Sequence, residues 1–501
     1  MARAIMIQGT ASSAGKSLVV TGLCRIFRQD GFSVAPFKSQ NMALNSFITR
    51  DGLEMGRAQV AQAEAAGIEP SVLMNPILLK PTGDAASQVI VNGEVVADMK
   101  AAEYYRRKTD FIPAVRQAYR TLAAENDIIV IEGAGSPAEI NLRDNDIVNM
   151  GMAAIADAPV LLVGDIDRGG VFASLYGTVA LLEPDERARI RGIVINKFRG
   201  DVGILRPGLA QLEELTGVPV VGVVPWLHVD IDDEDSVSTR FDAKNADKPL
   251  DAAVVRLPRI ANFTDFSALE RHPCFGVRYV DSPRGLGRPD LVILPGTKST
   301  MADLAWLRQN GLEAAIKKLA RSGVPVVGIC GGYQMLGMLL RDPSGVESGG
   351  VMRGLELLPV ETVFADQKTR TRIAGRVNRL NGVFACLSGA RFEGYEIHMG
   401  ISSPDESAAR FAELEPTGGS DGVVRENVLG SYVHGLFDSG TIADRLAEKM
   451  LEDRGIAFDG NGAVDHRQYK ERQYDMLAAA LRSALDLRTV YAMIGLKQPK
   501  S

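Results

Sequence analysis

The chain has 501 residues, 46% hydrophobic and 24% charged, with a formal charge of -6. That length exceeds one ordinary core, and the apolar content excludes a disordered chain, so two or more globular domains are expected. The net negative charge supplies no basic field for nucleic acid, although loops and helix ends still bind small anions locally.

From the amino terminus, short apolar runs at residues 4–8, 34–37, 128–132, 160–164, 192–196 and 220–225 alternate with amphipathic stretches. This texture predicts a parallel sheet covered by helices. The first run follows Met1 closely with no leader pattern, and no apolar run approaches the roughly 20 residues needed to span a bilayer, so a cytoplasmic location is expected. Cys24, Cys274, Cys330 and Cys386 are scattered without paired metal-ligand spacing, which fits a reducing compartment. Residues 231–250 turn polar and aperiodic, and strand-like runs resume at 251–257, 291–294 and 324–329. The expected division is therefore a first domain over 1–230, a linker over 231–250, a second domain over 251–485 and a carboxyl-terminal tail over 486–501.

The first strand runs into Gly9-Thr10-Ala11-Ser12-Ser13-Ala14-Gly15-Lys16-Ser17, and a helical run follows. Glycines allow backbone N–H groups to turn around phosphate oxygens, and the helix presents its positive end to the same anion. In that frame Lys16 reaches the outer phosphates of ATP and the Ser17 hydroxyl is placed to ligate Mg2+. The loop departs by one residue from G-x-x-x-x-G-K-S, because Thr10 occupies the usual glycine position and Gly9 precedes it. A matching acidic element is Asp127-Ile-Ile-Val-Ile-Glu132-Gly-Ala-Gly135, an apolar strand that ends in a carboxylate able to hold Mg2+ directly or through water.

The second half contains Val324-Pro-Val-Val-Gly-Ile-Cys330-Gly331-Gly332-Tyr333-Gln334. A buried strand here delivers Cys330 to a sharp turn, small residues relieve the crowding, and a helix begins at once. The helix start favours the thiolate. The Gly331 N–H is placed to receive an oxyanion, as is a main-chain N–H at Gly296 in Leu294-Pro-Gly-Thr297, the loop after an earlier strand. Of five histidines, His434 in Gly430-Ser-Tyr-Val-His-Gly435 follows a late strand and is the expected acid–base partner, with His398 next. His228, His272 and His466 lie in linker-like or polar surroundings.

These motifs carry resemblances. Gly-Thr-x-x-x-x-Gly-Lys-Ser, with Pro36-Phe37-Lys38 and Glu132-Gly-Ala-Gly, resembles the dethiobiotin synthetase group, which phosphorylates a carboxylate-type oxygen. That resemblance implies that Lys38 meets phosphate or the activated carboxyl and that Asn196 faces adenine. Partition-type ATPases carry a signature lysine where this chain has Ala11, which counts against a regulatory switch. Gly-Ile-Cys-Gly-Gly-Tyr-Gln with a downstream Tyr-Val-His-Gly resembles class I glutamine amidotransferases over about residues 250–440. Those enzymes have His-x-Glu, whereas Gly435 and Leu436 follow His434, so a Cys–His dyad lacking a carboxylate is expected.

Together the halves resemble the cobyrinic and cobyric acid amidating enzymes of cobalamin biosynthesis, and the cobyric acid synthases most. That comparison rests on runs such as Lys38-Ser-Gln-Asn-Met42, Leu78-Leu-Lys-Pro-Thr-Gly83, Val163-Gly-Asp-Ile-Asp-Arg168 and Pro258-Arg-Ile-Ala-Asn-Phe-Thr-Asp265. It implies amidation of four peripheral carboxylates of an adenosylated corrinoid diamide, with ATP and glutamine consumed at each. Asn41, Asn45, Asn141, Arg143 and Arg168 are then candidate corrinoid donors, and Asp146 a candidate for handling a proton or orienting ammonia. Three alternatives stay open: the sister diamide synthase or another ligase with the same modules, an ATP-driven switch, and a catalytically dead amidotransferase-like module.

Overall fold

A computed structural model describes residues 2–82, 86–232, 248–415, 418–458, 462–463 and 465–499. The chain divides into two compact units, and neither is a continuous stretch. The first comprises Met1–Ala43, Glu54–Glu234 and Lys470–Ser501; the second comprises Leu44–Leu53 and Asp235–Tyr469.

In the first unit, six parallel strands stand in the order Val220–Pro225, Ile190–Phe198, Val160–Asp165, Arg3–Gly9, Ile128–Glu132 and Val34–Phe37. All six predicted runs are there. Their near-continuous apolar residues are buried on both faces except along the edge strand Val220–Pro225, where only Val221 and Val224 are, as a helix-covered parallel sheet requires of its inner strands. Parallel strands bring their carboxyl ends to one edge, so the loops after residues 9, 37, 132, 165 and 198 gather there. A smaller sheet of Gln40–Met42, Ile77–Pro81, Ala86–Val91 and Glu94–Lys100 completes the unit.

The carboxyl terminus departs from expectation. Residues expected to form a tail instead contain a helix, Leu487–Met493, and the preceding helix His466–Ala484 brings Leu477, Ala478 and Leu481 into the same core as Ile5, Val19, Leu23 and Val130. Leu487, Val490, Tyr491 and Ile494 share one helical face, and the Tyr491 hydroxyl donates to Asp30 at 2.6 Å. The approach is close because Gly22 lacks a side chain: a Cβ there would lie 2.2 Å from Leu481 Cδ1. Arg25 ties the packing with ion pairs of 2.8 Å to both Glu471 and Asp475. Most of the expected linker lies outside the described residues.

The second unit is built on an eleven-stranded sheet. Its first five strands are parallel, in the order Phe275–Val280, Leu250–Val255, Leu291–Leu294, Val326–Ile329 and Val428–Ser431. An antiparallel extension follows, dominated by the long pair Val360–Val377 and Arg391–Pro404. Residues 44–53 join this unit rather than their sequence neighbours: Ile48 packs with Tyr395 and Ile397, and Phe47 lies edge-on to Tyr395 at 5.7 Å.

Candidate active sites

In the first unit, Arg3–Gly9 and Ile128–Glu132 pair in register with Ile7 opposite Glu132, which sets the carboxylate beside the phosphate loop. Glu132 is buried and accepts from Ser17 Oγ at 2.8 Å, from Lys38 Nζ at 2.9 Å and from Gln62 Nε2. Burial alone would raise the carboxyl. The Lys38 charge, with hydrogen bonds from Lys38, Gln62 and Ser17, outweighs it and holds Glu132 below the usual carboxylate range. Lys16 is also buried, and its ammonium donates to Ala11 O at 3.0 Å and Gly135 O at 3.1 Å, closing the loop over the Glu132-Gly-Ala-Gly turn.

Asn196, for which the sequence resemblance implies an adenine contact, donates its amide to Ala14 O at 2.9 Å. It packs so tightly on Gly15 that a Cβ there would lie 1.9 Å from Asn196 Nδ2, and Gly15 sits at φ +101, where side chains are strained. Asn196 therefore braces the loop backbone. Thr10 continues the strand, its N–H donating to Val163 O, and Gly9 is tightly walled by Ala14 and Lys16.

Of the candidate corrinoid donors, Asn41, Asn141, Arg143, Asp146 and Arg168 follow strands that end at residues 37, 132 and 165, at the same sheet edge. Asn41 is buried and donates to Gln59 Oε1 at 2.9 Å. Asn141 is exposed. Arg143 is held by Glu183 at 2.6 Å and by Leu181 O, and Arg168 is exposed near Asp165. Asp146 accepts from the N–H groups of Val148, Asn149 and Gly151, which makes its carboxylate the brace of the Met150–Ala156 helix start. Asn45 lies in the second unit, buried, with neither amide atom hydrogen-bonded.

In the second unit, four adjacent parallel strands deliver the site. Cys330 follows Val326–Ile329 at φ 51 and ψ -109, a strained turn of the kind that exposes a nucleophile. Gly332 is obligatory there: a Cβ would lie 2.0 Å from Leu294 O. Gly296 follows the neighbouring strand, and a Cβ on it would sit 3.8 Å from Cys330 Cβ, while one on Gly331 would sit 3.1 Å from Thr297 N. Both expected oxyanion glycines thus border the thiol, whose Sγ lies 3.5 Å from Ile397 O. His434 follows Val428–Ser431 on the other side and is hydrogen-bonded to Cys330.

The expected dyad is corrected to a triad. Asp265, from the turn Phe263–Phe266 after Leu250–Val255, places Oδ2 2.7 Å from His434 Nδ1 and accepts from Gly435 N–H with Oδ1. A carboxylate only accepts, so His434 Nδ1 carries the proton and Nε2 faces the cysteine. Burial would lower the imidazole, but the Asp265 charge, Cys330 and their hydrogen bonds push it up to about 10. Asp265 is 169 residues from His434 in sequence, and no spacing signal announces it.

His398 and His272 are held by contacts away from the thiol. His398 donates Nδ1–H to Gly400 O at 2.7 Å, stacks on Tyr432 at 3.7 Å and is pushed down to about 4 by burial. His272, expected in polar surroundings, is fully buried between Asp444 and the Cys274 N–H. Among the described residues, no helix is long and apolar enough to cross a membrane.

Residues 5–236 match the CobQ/CobB/MinD/ParA nucleotide binding domain, and residues 251–442 match the CobB/CobQ-like glutamine amidotransferase domain. A cobyric acid synthase of Ruminiclostridium cellulolyticum is 57% identical over 99% of this chain and 97% of its own length. Those of Lachnoclostridium phytofermentans and Yersinia enterocolitica are 56% identical, over 99% of both chains, and 54% identical, over 98% of both. With nucleotide-binding and amidotransferase halves in the same order and similarity running end to end, the chain belongs to the cobyric acid synthase family.

Proposed function

We propose that the chain amidates four peripheral carboxylates of adenosylcobyrinic acid a,c-diamide, giving adenosylcobyric acid, with one glutamine and one ATP consumed at each. The observation that carries this reading is the Asp265–His434–Cys330 alignment on the same chain as a Lys16 phosphate loop. In the glutaminase step the Cys330 thiolate attacks the glutamine side-chain carbonyl, and the oxyanion forms beside the N–H groups of Gly296 and Gly331. His434 gives its Nε2 proton to the departing ammonia while Asp265 stabilises the imidazolium. Water, deprotonated by the same imidazole, then clears the thioester as glutamate.

In the synthetase step a substrate carboxylate oxygen takes the γ-phosphoryl group of ATP, releasing ADP, and ammonia displaces phosphate from the acyl phosphate. Lys16 neutralises charge on the transferring group, and Lys38, which donates to Glu132, is proposed to meet the phosphate or the activated carboxyl. The Ser17 hydroxyl and Glu132 carboxylate, 2.8 Å apart, are hard oxygen donors that fit Mg2+. Bound there, the ion would supply further positive charge to the phosphates. Asn41, Asn141, Arg143 and Arg168 are proposed as the first residues to survey for corrinoid contact, and a cytoplasmic location is the accompanying proposal.

The test is direct. Incubation with ATP, glutamine and the corrinoid diamide should yield successive products, each about 1 Da lighter as hydroxyl is replaced by amino. A product series that stops after two changes on cobyrinic acid itself would instead indicate the sister diamide synthase.

A further inference from the structure

Lys108 is 8% exposed and, among the described residues, no hydrogen bond or ion pair engages its ammonium. It opens the turn Lys108–Phe111 after the helix Ala101–Arg107 and holds Nζ over the Tyr105 ring, 4.7 Å from the centroid. Asp146 is near enough to attract the charge, but both of its oxygens already accept, from the N–H groups of Val148, Asn149 and Gly151. Burial holds the lysine below its usual range, with the Asp146 charge opposing. A desolvated ammonium costs free energy until an anion meets it.

Two hydroxyls stitch this helix to the loops at the carboxyl edge of the six-stranded sheet. Tyr104 donates to Gln40 Oε1 at 2.6 Å, and Tyr105 donates to Asn141 O at 3.4 Å. Those loops are themselves joined, because Ser39 Oγ donates to Ile147 O at 2.7 Å. Asn149 then clamps Ala134, accepting from its N–H at 3.1 Å and donating to its carbonyl at 2.7 Å. The next carbonyl, Gly135 O, receives Lys16. An unbroken run of contacts therefore leads from the Lys108 helix to the phosphate loop. Met42, Ile140 and Leu142 are exposed on the same segments, apolar surface suited to the face of a large ring.

We infer that the Lys108 ammonium binds a carboxylate of the corrinoid acceptor and holds that rim of the substrate at the edge where Lys16 serves the phosphates. This deepens the synthetase reading above and rests on it. The Tyr105 face supports the cation without supplying an anion, so the positive charge stays available to a ligand. An ammonium is a point charge with three donors, which suits the successive carboxylates of a rim better than one fixed bidentate geometry would.

The experiment titrates the full-length protein with the corrinoid diamide, with its tetra-amidated product and with ATP, in wild type and Lys108→Met. The variant should bind the diamide about 10- to 100-fold more weakly, the usual worth of a hydrogen bond to a charged group. Affinities for the product and for ATP should change less than about twofold. Lys108→Arg keeps the charge and should retain most of the affinity, and Lys108→Gln replaces a methionine variant that fails to fold. In ammonia-driven amidation the loss should appear in KM for the corrinoid rather than in kcat. Unchanged diamide binding, equal weakening of diamide and product, or a loss confined to ATP overturns the inference. A wild type that neither binds nor amidates the diamide overturns the synthetase reading and the inference together, whereas an active wild type beside an unaltered Lys108→Met overturns the inference alone.

Discussion

Asp265 Oδ2 lies 2.7 Å from His434 Nδ1, and both side chains are almost fully buried. The carboxylate that class I amidotransferases place two residues after the histidine is here supplied from a turn on a different strand. Because its oxygens also accept from Gly435 N–H, it fixes both ring tautomer and ring direction.

Replacing Asp265 with asparagine should lower glutaminase kcat on the order of 10²- to 10⁴-fold, as loss of the orienting carboxylate does in analogous triads. Synthesis from ammonium salts should persist. His434 also titrates: with its imidazole raised from 6.5 to about 10, its contribution to stability is complete below pH 6.5 and disappears as pH rises through 10. Thermal midpoints of wild type and Asp265→Asn should therefore differ most near pH 6 and converge toward pH 10. Glu396, pushed up to about 7 by burial and Asp421 against the pull of the His434 charge, is coupled to the same imidazole, so the comparison is read from pH 8 upward as well as near pH 6.

Cys330→Ala should abolish glutamine-dependent amidation and leave ammonia-dependent amidation in place. Steady-state rates with each nitrogen source decide this, and equal loss of both in a folded variant would falsify the division of labour.

The phosphate loop offers a pair of substitutions with one expected phenotype and different causes. Lys16→Ala removes the charge at the transferring phosphoryl group and should reduce synthesis from either nitrogen source on the order of 10²- to 10³-fold. Gly15→Ala keeps that charge but places a Cβ against Asn196 Nδ2 at a positive φ, so nucleotide binding itself should weaken. Calorimetric titration with ATP separates the two.

Leu481 is fully buried against Gly22 in the first unit. Leu481→Ala should destabilise that unit by about 2–5 kcal/mol, read from its urea midpoint, while leaving the glutaminase rate of the folded protein unchanged.

Much of this chemistry was legible in linear order because it is local. The loop from Gly9 to Ser17, the carboxylate ending strand 128–132 and the Cys330 elbow are each a strand, a turn and the residues beside it, and the backbone alone fixes such groups. The carboxyl-terminal helix does not stand out in the sequence, because seven residues give too short a period beside Gln498-Pro-Lys-Ser501. Nothing in the sequence separates residues 44–53 from the first half that surrounds them, because chain proximity is the default expectation for domain membership.

Sequence by itself therefore determined the two candidate anchors, the parallel sheets that carry them and the family resemblance. Tertiary structure alone decided what stands around the anchors. Asp265 joins His434 because strands 250–255, 291–294, 326–329 and 428–431 lie side by side and open their loops at one edge. Asn262 and Ser46 meet across 216 residues for the same kind of reason. Hydrogen-bond partners of that separation are set by sheet order and side-chain packing, neither of which leaves a fixed spacing in the chain.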